Sequence, residues 1–470
     1  MRARTFAVMM AAGLAVAGLT APTAGAAPSR LWDDFNGDGY RDLAIGTPKE
    51  NGGTVTVLFG SSSGVSPARS VNITQNTAGV PGTSETGDQF GESVTSGDVN
   101  GDGYADLIVG APYERIAGKP DGSVTVVWGG TRPFTSGGIV LSAPNAEADG
   151  FGTGAAFADL DGDGVGNLVV VGADTFWWYA EGKPTQDGAL APEVNFLPEE
   201  VRLDGVVAGH FSSTDGSDFV LYGRRTDGTG NYLGVLRGGP GDIGYSSSVL
   251  AEGTAAGGAA WDRSVAAGDI DHDGYDDLVT GNTDVAKGGS FTVRYGKAAG
   301  LPATGKTYTQ ATSGVPGTDE AGDDFGAAVA VGDATGDGYA DVAVGAANES
   351  VGGHRTVGDV VFLKGGSAGL TTQGAQSFHQ ATPGVPGKAE AGDHFGSSLR
   401  LRDINGNGRA DLAIGAFGED VVPGGYDDGS AWVLRGATSG LTTSYATAFD
   451  PTDFGYSVPK GCKFGDVFAR

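Results

Sequence analysis

DVNGDGYADLIVGAP, residues 98–112, is the stretch whose reading decides the fold. Its first nine residues place a carboxylate or amide at positions one, three and five, glycine at six and aspartate at nine. Asp, Asn and Gly in this density make a tight turn. The apolar run from Leu107, closed by Gly110-Ala111-Pro112, reads as a short buried strand. The nine-residue loop recurs as DFNGDGYRD from Asp34, DLDGDGVGN from Asp159, DIDHDGYDD from Asp269, DATGDGYAD from Asp333 and DINGNGRAD from Asp403. A worn copy, HFSSTDGSD, starts at His210. Seven copies at a period of about sixty residues mark seven equivalent units.

The flanks repeat as well. Before the loop comes a strand opened by Phe-Gly, at Phe90-Gly91, Phe151-Gly152, Phe325-Gly326 and Phe395-Gly396, with Trp261-Asp262 in the matching place of the fifth unit. After the apolar strand comes an alternating one ending in glycine: TVTVLFG (54–60), SVTVVWG (123–129), SFTVRYG (290–296), DVVFLKG (359–365) and SAWVLRG (430–436). A linker, QATSGVPGTDEAGDDFG (310–326), is closely repeated as QATPGVPGKAEAGDHFG (380–396) and more loosely as QNTAGVPGTSETGDQFG (75–91).

Each unit thus holds three clear strands and room for a fourth. Such a sheet buries both faces only by packing radially against its neighbours, which predicts an all-β, seven-bladed β-propeller over residues 27–470. The alternative, an open solenoid, needs atypical capping repeats at both ends. The first loop has no Phe-Gly strand before it, while Phe454-Gly455 lies spare near the C-terminus. A C-terminal strand near 454–458 is therefore expected to complete the first blade and close the ring.

The loop suits calcium, which takes six to eight hard oxygens. Side chains one, three and five, the carbonyl of residue seven and a bidentate aspartate at nine supply them, and glycine at six lets the chain wrap the ion. Complete sets are Asp34, Asn36, Asp38, Tyr40 and Asp42; Asp98, Asn100, Asp102, Tyr104 and Asp106; Asp269, Asp271, Asp273, Tyr275 and Asp277; and Asp403, Asn405, Asn407, Arg409 and Asp411. Two sets are weaker. Thr335 replaces an acid among Asp333, Asp337, Tyr339 and Asp341, and Asn167 ends the set of Asp159, Asp161 and Asp163. The His210 loop has lost its ligands. An EF-hand ends instead with Glu at position twelve on a helix, and metal-free Asp-Gly turns are the plain alternative. Protein oxygens fill the coordination, so the ions are expected to be structural.

These motifs resemble the FG-GAP repeats of the integrin α-subunit N-terminal propeller and its bacterial secreted relatives. The resemblance covers nearly all of residues 27–470. It implies a seven-bladed ring with calcium loops on one rim and a role in adhesive binding.

Composition agrees. Residues 1–26 read as a signal peptide, with Arg2 and Arg4, an apolar run from Phe6 to Ala21 and the small-residue site Ala24-Gly25-Ala26. A secreted chain is the expectation. No other long apolar stretch follows, so neither membrane insertion nor an integrin receptor role is expected. The formal charge of −28 excludes nucleic acid as a natural partner. Cys462 is the lone cysteine, so no intramolecular disulfide forms. Glycine, at 86 of 470 residues, fits many tight turns.

Outside the loops the signals are thinner. On a strand, adjacent Trp177 and Trp178 point to opposite faces, so one ring points outward and an exposed one could stack on a sugar; blade-to-blade packing is the more common outcome and the favoured reading. Glu92, Asp262, Arg263, Arg400 and Arg402 are candidates to line the channel. The five histidines show no metal or triad spacing, and no motif identifies a catalytic residue or another cofactor site. The sequence favours a secreted calcium-binding module for an extracellular polysaccharide or protein. The alternatives are a polysaccharide-active enzyme with its site in the channel, or a structural envelope component.

Overall fold

A computed structural model describes residues 31–116, 119–120, 122–143, 149–179, 193–196, 201–228, 230–239, 244–247, 264–283, 287–422, 425–456 and 461–470. The leader read at 1–26, Trp261-Asp262 and Arg263 lie outside the described residues. Seven four-stranded antiparallel sheets form the blades of a β-propeller, and no α-helix occurs among the described residues. The second blade shows the pattern. Its strands run Ser93–Gly97, Asp106–Ala111, Ser123–Val127 and Gly138–Ser142 from the axis outward. The two middle strands are buried along their whole length, so they read as continuous apolar runs; the outermost alternates.

Inner strands carry small residues where the blades converge, as in GAAFA at Gly154–Ala158 and VAAG at Val265–Gly268. Each inner strand packs beside the next in an unbroken cycle of seven. Valine, isoleucine, leucine and aromatic side chains fill the wedge between adjacent blades. Each such side chain contributes about 1.5–3 kcal/mol by leaving water.

The Phe-Gly and Gly-Ala-Pro signatures are two halves of one contact between blades. A Cβ on Gly110 would stand 2.0 Å from the carbonyl oxygen of Gly152 in the following blade. Only glycine allows that backbone approach, and the Phe151 ring is fully buried alongside. Phe90, Phe325 and Phe395 are buried in the same way.

Ring closure follows the expected principle with a different strand. Val467–Phe468 pairs with Leu43–Thr47 and supplies the innermost strand of the first blade. The Phe-Gly pair belonging to it is Phe464-Gly465, whose glycine carbonyl meets Gly415 of the seventh blade. Phe454 ends a short 3-10 helix, Pro451–Phe454, and 457–460 fall outside the described residues. The reason is local. Asp450 caps the turn, Pro451 starts it, and Gly455 takes a left-handed conformation that ends it.

Candidate metal centres and the central channel

Each nine-residue loop leads into the second strand of its blade, from the inner strand in every blade but the first, where the inner strand is C-terminal, so the loops share one face of the ring. In each acidic copy the first aspartate organises the turn by accepting backbone N–H groups. Asp34 takes those of Gly37 at 2.7 Å and Gly39 at 2.8 Å; Asp333 takes Gly336 at 2.6 Å and Gly338 at 2.8 Å. The fifth side chain accepts from the seventh N–H, as Asp38 from Tyr40 at 3.1 Å and Asp102 from Tyr104 at 3.0 Å. Asp163, Asp273, Asp337 and Asn407 repeat this with Val165, Tyr275, Tyr339 and Arg409. Asn36 and Asn100 each accept from the residue two further on, at 2.8 Å. Gly103, at position six of its loop, has φ +91°, as the wrapping turn requires.

Two loops bring three carboxylates together. The oxygens of Asp159, Asp161 and Asp163 lie within 4.8 Å of one another, as do those of Asp269, Asp271 and Asp273. Oδ1 atoms of Asp98, Asp161 and Asp271 are buried without a hydrogen-bond partner. Burial together with the neighbouring Asp163 and Asp273 pushes Asp161 and Asp271 above the usual carboxylate range. Orphaned acidic oxygens converging on one point fit a hard divalent cation. In the Asp403 loop the third residue turns elsewhere: the Asn405 amide donates to Asp411 at 2.6 Å. In the Asp34 loop, Arg69 pairs with Asp38 at 3.2 Å.

The ninth residue has a role that sequence reasoning missed. Asp106 accepts the Val99 N–H through one oxygen at 2.9 Å and the Gly129 N–H through the other at 2.9 Å. It thereby ties the loop to the end of the third strand. Asp42, Asp277 and Asp341 do the same with Gly60, Gly296 and Gly365, and Asp411 reaches Gly436. Asn167 keeps the bond within its loop, to Leu160. Even in the ligand-poor loop, Asp218 holds Gly238 at 3.0 Å and Ser212 Oγ at 2.8 Å. Burial pushes Asp106, Asp277 and Asp341 up to about 7 and Asp411 up to about 6. The glycine that ends the third strand in six of the seven blades (Gly60, Gly129, Gly238, Gly296, Gly365 and Gly436) was the available signal.

Adjacent loops are also stitched together. The N–H of the eighth loop residue donates to the carbonyl of the first residue in the preceding blade: Ala105 to Asp34, Ser217 to Asp159, Asp276 to His210, Ala340 to Asp269 and Ala410 to Asp333. The seventh side chain rests on that same neighbour, Tyr104 on Gly37, Tyr40 on Gly406 and Tyr339 on His272.

Inner strands of all seven blades line a central channel. Of the residues expected there, Glu92, Arg400 and Arg402 take part, with Arg202, Arg224 and Arg470. The charges pair with one another. Asp33 is buried and meets Arg402 Nε at 2.9 Å, Arg400 at 3.9 Å and Ser96 Oγ at 2.5 Å. Burial works to raise its pKa, but the two arginines and the hydroxyl hold it below the usual range. Arg224 pairs with Asp204 at 3.4 Å and Lys49 with Glu92 at 3.8 Å. Arg400 Nε has no hydrogen-bond partner, and burial depresses this guanidinium strongly. Trp32 and Tyr113, both exposed, also line the cavity.

At Trp177–Trp178 neither ring is exposed, so the outward sugar-stacking ring is corrected and packing between blades is found. Trp177 is fully buried, edge-on to Phe151 at 4.8 Å, and Trp178 packs against the core between the third and fourth blades. Blade packing claims both faces of this strand.

The FG-GAP repeat profile matches residues 31–58, 90–127, 262–293, 325–362 and 395–434. The chain carries FG-GAP repeats in a β-propeller that resembles that of integrin α subunits. It is 32% identical over 202 residues to phosphatidylinositol-glycan-specific phospholipase D of Bos taurus, covering 42% of this chain and 22% of that protein. It is 29% identical over 228 residues to integrin alpha-5 of Xenopus laevis, covering 46% of this chain and 20% of the relative. The chain thus spans about a fifth of the length of these relatives. A solved structure of BBS1N in complex with ARL6DN aligns over 78% of this chain and 82% of its own, with a TM-score of 0.39 and 13% identity.

Proposed function

We propose that this chain is a secreted, calcium-binding propeller that acts as a binding or adhesion module for an extracellular polysaccharide or protein. The channel carries the reading. In a strongly acidic chain, arginines gather at its wall, which Trp32 and Tyr113 also line, and Arg400 has donor atoms without a hydrogen-bond partner. Guanidinium donors and aromatic faces suit acidic groups and the flat faces of sugar rings. Asp33, Asp204 and Glu92 are each engaged by a cation, which favours holding a ligand over acid–base turnover.

Calcium on the loop face would stiffen this scaffold. Asp98, Asp161 and Asp271 would lend their orphaned oxygens to the ion, which supplies positive charge among carboxylates that otherwise repel. The N-terminal leader pattern supports export.

The test is binding of the 27–470 chain to immobilised polysaccharides and matrix proteins, in calcium and in chelator, beside an Arg400→Ala variant. Retention that falls about tenfold or more in chelator and in the variant supports the reading. A chain that binds none of these surfaces in calcium refutes it.

A further inference from the structure

The most faithfully repeated linker in the sequence does not touch the loop face. It enters the start of an inner strand, so it lies on the opposite face of the ring, where the second strand also ends. There the fold assembles a second acidic set. Glu85 and Asp88 from the linker meet Glu114, which follows Asp106–Ala111, with oxygens within 4.8 Å of one another. Glu320, Asp323 and Glu349 repeat the arrangement in the sixth blade, again within 4.8 Å. Glu390, Asp393 and Glu419 occupy the equivalent positions in the seventh.

Carboxylates alone do not make a site; the glutamine opening each linker provides the independent observation. Gln75, Gln310 and Gln380 are 2%, 4% and 2% exposed. Each donates its amide nitrogen into the cluster: Gln75 to Glu114, Gln310 to Glu349 at 2.7 Å and Gln380 to Glu419 at 2.6 Å. Each leaves its Oε1 buried with no hydrogen-bond partner. Turning the amide over would set that oxygen against a carboxylate, so the orientation is fixed and the orphaned acceptor stays on the amide that borders the acidic cluster. Three blades repeat the same unmet acceptor, and a buried acceptor without a partner is costly.

We propose that these blade junctions are a second set of divalent-cation sites, built from Gln75, Glu85, Asp88 and Glu114 and from Gln310, Glu320, Asp323 and Glu349, with the Gln380 junction as a third. The donors are all hard oxygens, three carboxylates and one amide, with no imidazole or thiolate. That selects calcium or magnesium over zinc, with water completing the shell. Because glutamine follows the outer strand of one blade and the acids belong to the next, each ion would pin two blades together on the face that the nine-residue loops do not reach. Burial, then the neighbouring Asp393, pushes Glu419 up to about 7, as expected of acids that lack a counter-charge. Arg115 stands near Asp88 and partly offsets the first cluster.

The test does not depend on any ligand of the channel. Equilibrium dialysis against calcium alone is run on the 27–470 chain and on a Glu349→Gln, Asp323→Asn variant whose fold is checked by circular dichroism. The expected result is one bound ion fewer in the variant, with the nine-residue loops still loaded. Unchanged stoichiometry overturns the proposal. Should the variant not fold, the native chain decides: crystals grown with manganese should show an anomalous peak bonded to Gln310 Oε1 and the three carboxylates. No peak there, at a concentration that fills the Asp269 loop, overturns it equally.

Discussion

At the scale of single residues, the ninth loop aspartate does two jobs that its position in a ligand motif conceals. It closes its own loop and anchors the third strand, and Asp218 does so in a blade where no ion is expected. Replacing it strips partners from buried donors. Asp218→Ala is therefore expected to cost about 2–4 kcal/mol in urea unfolding, equally in calcium and in chelator. A loss that depends on calcium would mean that this loop binds metal after all. Cys462 is a second case. It is buried, donates to the Asp428 carbonyl at 3.0 Å, and burial pushes its thiol up to about 12. A thiol held protonated and covered is inert. Disulfide-exchange reagents should label it only after denaturant is added; fast labelling of the folded chain would contradict the burial.

At the scale of elements, the paired glycines define how blades dock. Gly110→Ala forces a methyl group onto the Gly152 carbonyl, and about 3 kcal/mol of destabilisation is expected in the same unfolding assay, with Val109→Ala as a cavity control. A neutral Gly110→Ala would show that the blades slide apart freely. These contacts also explain what could be read from the sequence. Loop, Phe-Gly strand and Gly-Ala-Pro ending recur because the same inter-blade geometry recurs, so blade number and strand order were legible. The closing strand was not: the chain offers two Phe-Gly pairs, and what separates them is Asp450 capping Pro451–Phe454 into a helical turn. The outward ring at Trp177-Trp178 fails for a related reason. Alternation predicts one exposed ring only where one face of a strand is free, and between packed blades neither face is.

At the scale of the whole molecule, acidic oxygens collect on two faces of the ring, in a chain whose formal charge is −28. Metal loading should therefore govern stability more than any single core contact does. With loop sites of extracellular-type affinity, each ion in millimolar calcium adds about 0.4–1.4 kcal/mol. Removing them all is expected to lower the calorimetric midpoint by several degrees, reversibly on re-addition, and a midpoint indifferent to chelator would show the loops to be metal-free turns. The site was legible only in part. Spacing reveals side chains that point the same way along one loop, but Gln310 and Glu349 come from different blades and meet only through the fold.

The stitching between neighbouring loops bears on the channel itself. Hydrogen bonds from the eighth residue to the loop before it link neighbours at five of the seven blade junctions around one mouth. Any loop that drew in around an ion would take up slack from the links on either side of it. The width of that mouth is thus set collectively, link by link, rather than by any residue that borders the opening.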